Sequence, residues 1–190
     1  MHAVDTWQPD SAVEIGDRLR HESTTEKVDL FRYWDSLRDG GLPDYRRFDA
    51  LDIPHLLGDL AVVDVERPAM RYRFRLYGTR IVEVRGKDLT GQCIGDPGVF
   101  SDELNRHYLS AYQEVTRTQR PVFDIVPFKH THRSAGHYHR LLLPFTDGAR
   151  GQGTCDVIVL SFQSVPLYST LRSTGERIGP PSPKPGTIIL

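Results

Sequence analysis

Half of the eight histidines in this 190-residue chain lie between positions 130 and 139, as His130, His132, His137 and His139. Val122 to His132 and His137 to Phe145 read as two strands joined by Arg133-Ser134-Ala135-Gly136. With that loop, His132 faces His137 and His130 faces His139. Four imidazoles then share one face, with neighbouring Cβ atoms about 5 Å apart. Such a set could bind Zn²⁺, Ni²⁺ or Cu²⁺, or act as a pH sensor through mutual suppression of protonation. The plainer reading is a solvated strand end. A one-residue change of register scatters the set, and the tetrahedral Cys/His spacing of structural zinc sites is missing.

His107 is the second candidate. It follows Leu104 by three residues and sits at the edge of an amphipathic helix face. A helical histidine of this kind can be an axial haem ligand or one half of a His/Asp proton-transfer pair. It can also simply border the core and reach water. Arg71, Arg73 and Arg75, near Arg80 and Arg85, form a basic stripe. The stripe suits an acidic partner, or an outer face paired with carboxylates on neighbouring strands. Lys plus Arg number 24 and Asp plus Glu 25, for a net charge of -1. That balance supplies no global field for nucleic acid or an anionic membrane and favours the paired face. No G-x-S-x-G, P-loop or G-x-G-x-x-G occurs, and Cys93 and Cys155 form no C-x-x-C.

Several elements must hold these residues. Ser23-Thr24-Thr25-Glu26 matches a capping box, and Leu30, Phe31, Trp34 and Leu37 form one apolar helix face that ends before Gly40-Gly41. This face either docks on the domain's own core or makes a dimer contact. Leu51 to Leu57 is an extended entry with a short helical turn, and Leu60 to Val65 a Val-rich strand. Tyr72, Phe74 and Leu76 alternate with the arginines, so period two puts them on one face of the next strand. Thr79 to Val84 is a short helix, and the glycine-punctuated stretch to Gly98 is irregular. Ser101 caps a long helix in which Leu104, Tyr108, Ala111, Tyr112 and Val115 share a stripe. After the hairpin, Thr154 to Val165 reads as a final strand.

This order, an antiparallel α+β sheet with helices on one face behind an N-terminal helix, is similar to that of a PAS domain. The resemblance extends to a family of short stand-alone bacterial PAS-like proteins. It is carried by Tyr33-Trp34 with Leu37-Arg38, Leu51-Asp52-Ile53-Pro54 with Leu56-Leu57, Phe74-Arg75-Leu76 with Gly78-Thr79, Gly86 with Asp88-Leu89-Thr90-Gly91, Arg120-Pro121-Val122, and Arg140-Leu141-Leu142-Leu143-Pro144. It implies a five-stranded sheet and a sensory or adaptor role through a small ligand, a partner protein or a homodimer, with no catalytic residue to carry over. A pocket between sheet and long helix would be lined by Phe74, Leu76, His107, Tyr108, Tyr112, Phe128, Leu141 and Leu143.

The chain therefore divides into a flexible arm at 1–22, a helix at 23–41, a PAS-like domain at 42–166 and a Pro/Gly-rich, disordered tail at 167–190. No cofactor is expected by default; haem at His107 and a metal at the histidine hairpin are the exceptions. A small cone-shaped isomerase or dehydratase using His107 with a carboxylate is the rival reading. Finding His107 hydrogen-bonded to a carboxylate in a cavity would favour it. No signal peptide or run of about 18 apolar residues is present. The expectation is a cytoplasmic protein that binds neither membrane nor nucleic acid.

Overall fold

Consecutive residues in the strands go to different neighbours. Val62, Leu141 and Leu143 pack in one apolar cluster, while Val63 and Leu142 pack in another. Alternation along a strand requires this when both faces of a sheet are roofed. The computed structural model describes residues 25–130, 134–148, 153–166 and 186–189. In it, β1 (Leu60–Glu66), β2 (Arg71–Tyr77), β3 (Val122–His130), β4 (Ser134–Phe145), β5 (Val157–Pro166) and β6 (Gly186–Ile189) form one sheet. The strand order is β2-β1-β5-β4-β3-β6, and every pairing is antiparallel. The first five are the strands that periodicity assigns. The sixth lies within the tail expected to lack structure; a tail rich in proline masks the short β-branched run Thr187-Ile188-Ile189.

Helices α2 (Thr79–Arg85) and α3 (Asp102–Thr118) cover one face. Ser101 caps α3, its hydroxyl accepting from Leu104 N, and Gln119 closes it at φ 57° just before Pro121. The apolar stripe of α3, Tyr108, Ala111, Tyr112 and Val115, is buried against the sheet. Helix α1 (Thr25–Ser36) roofs the opposite face together with the 3₁₀ turns at Tyr45–Arg47, Ala50–Asp52 and Pro54–Asp59. Leu30, Phe31 and Trp34 are buried there, and Leu37 is half-buried. The Trp34 indole N–H donates to Pro144 O at 2.8 Å. The face that suited either docking or dimerisation is thus occupied by the chain's own sheet.

Two expectations of register change. In β2 the pairing slips between Val62 and Val63, leaving Arg75 as an extra residue. This bulge resets the alternation. Phe74 and Tyr77 face α3, whereas Leu76 pairs with Val62 on the other face and is 47 % exposed. In the hairpin, Val122 pairs with Leu142 and His130 with Ser134. Phe123 faces Leu141 and Val126 faces Tyr138, so every partner differs from the expected one. An opposite-charge pair, Asp124 with Arg140, sits in this register and fixes it.

Candidate functional site

The space between the sheet and α3 is where the sequence put a pocket. Phe74, Tyr77, Tyr108, Tyr112, Arg85 and Arg140 line it with four apolar neighbours. The rings fill it closely. Tyr108 meets Phe100 edge-on at 4.7 Å, and Phe74 meets Tyr77 at 5.1 Å. The Arg85 guanidinium lies over Phe100 at 4.8 Å and Tyr138 at 5.6 Å. What remains is about 10 Å³ in which the centre of a water molecule can sit. That is one water, against about 300–1,000 Å³ in a typical ligand pocket.

A buried ion-pair cluster stands at its wall. Asp124 is fully buried on β3 and Arg140 is 2 % exposed on β4. Their side chains form a direct salt bridge, and the guanidinium stacks over the Tyr108 ring at 3.9 Å. His107 on α3 is part-exposed and donates from Nε2 to the same carboxylate, at 2.9 and 3.2 Å from its two oxygens. Burial alone pushes the Asp124 carboxyl up; Arg140 and His107 outweigh it and hold it below the usual carboxylate range. Two buried polar atoms here, Tyr108 Oη and Arg140 Nε, have no hydrogen-bond partner among the described residues.

This arrangement corrects several sequence readings. His107 does meet a carboxylate, but the cavity beside the pair has room for no more than one water, and the carboxylate is also gripped by Arg140. Haem does not fit: the Nε2 it would need is bonded to Asp124 and the space is too small. Of the expected lining, Phe74, Tyr108 and Tyr112 are in place. Leu141 and Leu143 face α1 instead, and Leu76 is turned outward by the bulge. Phe128 pairs with Gly136 and its side chain lies outside the described residues. Asp124, Arg140 and Arg85 were missed. A lone Asp in Val122-Phe123-Asp124-Ile125-Val126 and a lone Arg before Leu141-Leu142-Leu143 are opposite charges in two buried strands, which was the available signal.

Among the described residues, the hairpin positions 130, 137 and 139 do not share one face. His130 lies opposite Ser134, His137 opposite Pro127 and His139 opposite Ile125. This register puts His137 and His139 on the sheet face opposite to that of position 130. His132 lies outside the described residues. Among the described residues no group of three or more His, Cys, Asp or Glu could hold a metal ion. His139 stands edge-on to Phe123 beneath α1. Burial first, then the nearby Lys27 and His137 charges, lower its pKa to about 4. Lys27, on the apolar side of α1, is 1 % exposed and donates to Gln163 Oε1 at 3.3 Å. Burial lowers its pKa to about 8.

The basic stripe is matched by carboxylates: Arg71 with Asp96, Arg73 with Glu66, Arg75 with Asp64 and Arg80 with Asp59. An open groove of about 370 Å³ lies on the α1 face of the sheet. Its walls include Tyr45, Phe48, Leu57, Leu76, Tyr77 and Thr79. No helix among the described residues is long and apolar enough to cross a membrane.

A family model described as a PAS domain matches residues 19–155. No curated protein matches the sequence. Among solved structures, the chain is similar to the histidine kinase ThkA in complex with the response regulator TrrA, at 16 % identity and a TM-score of 0.41; the match covers 65 % of this chain and 33 % of that one. It is also similar to the PAS domain of BvgS from Bordetella pertussis, at 19 % identity, with 65 % and 92 % covered and a TM-score of 0.44. A fungal LOV domain photoreceptor matches at 11 % identity, with 78 % and 99 % covered and a TM-score of 0.41. The chain thus spans about a third of the length of that kinase.

Proposed function

Because the chain belongs to the PAS domain family, whose members are sensory domains of signalling proteins, we propose that it is a non-enzymatic adaptor that signals by touching a partner protein. The observation that carries this reading is the interior, where packing leaves room for one water between sheet and α3. A recognition event large enough to be specific then has the outer surfaces to use. The His107–Asp124–Arg140 cluster works as a clamp joining α3 to β3 and β4. Its carboxylate is doubly paired, and the space next to Arg140 among the described residues is water-sized. With α1 folded onto its own sheet, a homodimer would use other surfaces than Leu30, Phe31 and Trp34.

A second reading rests on Tyr108 Oη and Arg140 Nε, two unpartnered groups at the cavity wall. They would suit a small polar ligand that enters the water-sized space and loosens the aromatic packing. Native mass spectrometry with an absorption spectrum of the purified protein separates the two. A colourless protein with the bare chain mass is expected. A small molecule retained at one per chain would overturn the adaptor reading and favour the second.

A further inference from the structure

The two edges of the sheet are closed in different ways. Along β2, the backbone of residues 91–94 lies against the strand: Phe74 N donates to Gln92 O at 3.0 Å and Ile94 N to Tyr72 O at 2.9 Å. Cys93 and Ile94 in that cover are buried, so it is part of the core. Along β3 the cover is β6, four residues joined to β5 through residues 167–185. It pairs with Val122, Phe123, Asp124 and Ile125 alone. The rest of β3, from Val126 to His130, has no strand on that side among the described residues.

An open strand edge is a row of backbone donors and acceptors that templates another strand, and peptide recognition by strand addition uses that row. We propose that the outer edge of β3 is a strand-acceptor site for an extended, β-branched segment of a partner protein, and that Gly186–Ile189 holds the site until the partner displaces it. The sequence of β6 shows what the edge accepts: Thr-Ile-Ile, antiparallel to β3, led by a glycine. A partner segment longer than four residues gains by pairing with Val126 and the residues beyond it, of which Pro127 alone lacks a backbone N–H to donate, and this offsets the tethered strand's high effective concentration. The edge also reaches the interior, since Asp124, which pairs with Thr187, carries the clamp to His107 and Arg140. The inference names the contact surface for the adaptor reading and rests on it.

The test uses the full chain carrying Ile188→Pro, which removes a backbone donor from β6, and a fluorescent synthetic peptide copying residues 182–190. Fluorescence anisotropy should show saturable binding to the variant and binding about tenfold or more weaker to the unsubstituted chain, where β6 competes. A peptide carrying the same proline should bind neither. Hydrogen exchange should show protection lost in the variant and restored by the peptide at the alternate amides of residues 122–125 that point to β6, while those that point to β4 stay protected. No saturable binding to a folded variant, or equal binding to both proteins, overturns the proposal. So does a concentration-dependent dimer that exchanges β6 between copies, because the occupant is then a second copy. Should the variant fail to fold, exchange in the unsubstituted chain decides. If the β6-facing amides of 122–125 exchange only with global unfolding, β6 is integral and the idea ends. Failure here with a bare chain mass removes this surface and leaves the adaptor reading, whereas a retained small molecule removes that reading whatever the peptide does.

Discussion

Replacing Arg140 with Met would leave the Asp124 carboxylate, which has no solvent exposure, with His107 as its one remaining ionisable partner. Breaking a buried pair in this way costs about 3–5 kcal/mol, because the surviving charge keeps its desolvation penalty. His107 stays and reaches water, which argues for the lower end; loss of the guanidinium over Tyr108 adds up to about 2 kcal/mol. The expected total is about 4 kcal/mol. Asp124→Leu alone strands Arg140 and should lose a similar amount. The double variant removes both charges and should recover most of it, so the two losses are strongly non-additive. Urea unfolding followed by tryptophan fluorescence, to which buried Trp34 contributes, measures all three. Acid provides a second check. The Asp124 pKa is held down in the fold, so its contribution is complete above the unfolded value and disappears as pH falls through the lower folded value. The gap between the parent chain and Arg140→Met should therefore close below about pH 4. Additive single losses under about 1 kcal/mol each would refute the clamp.

Three further outcomes follow from the packing. Lys27→Met should stabilise the protein by up to about 3 kcal/mol at pH 7, since a buried lysine whose pKa falls from 10.5 to about 8 opposes folding while protonated. The gain should fade from pH 8 to 10.5, where the folded chain has already released its proton; a gap constant with pH in parallel denaturation curves would contradict this. Trp34→Ala should cost about 3–5 kcal/mol in denaturant unfolding through the cavity left under α1, and a loss under about 1 kcal/mol would mean that α1 is only loosely docked. Gly78→Ala should lower stability by about 3 kcal/mol or more. An added Cβ there would lie 2.6 Å from Leu60 O and closer still to Gly58 O; an unchanged melting temperature would show that this approach relaxes freely.

Where one local signal decides the outcome, the sequence is legible. Ser101 and Pro121 bracket α3, and the arginine alternation marks β2. The valine run gives β1, and the order of elements gives the antiparallel sheet and its family. Pairing between distant residues is not written locally. The hairpin register depends on Asp124 meeting Arg140 across the ladder, which no count of turn residues reveals. An odd change in register moves alternate side chains to the other face, and the histidine set fell to that. Leu141 and Leu143 were given to the α3 side because a triple-leucine run carries no polarity to say which members face which roof. The sequence offers His107 a carboxylate partner without naming it; Asp124 and Arg140 read there as separate charges, and only the fold makes the three neighbours.

The bulge at Arg75 matters for comparing this chain with its relatives. Phe74 and Tyr77, three apart, occupy the same side of the sheet, where uninterrupted alternation would have placed Phe74 and Leu76. A relative that lacks one residue at this point keeps its leucine outward and its tyrosine inward, whereas one of equal length with an unbroken strand turns the leucine inward and the tyrosine outward. Homologous sequences should therefore be aligned as two blocks that meet at position 75. An alignment sliding across that junction would exchange a core ring for a surface aliphatic while every residue name still seemed to match.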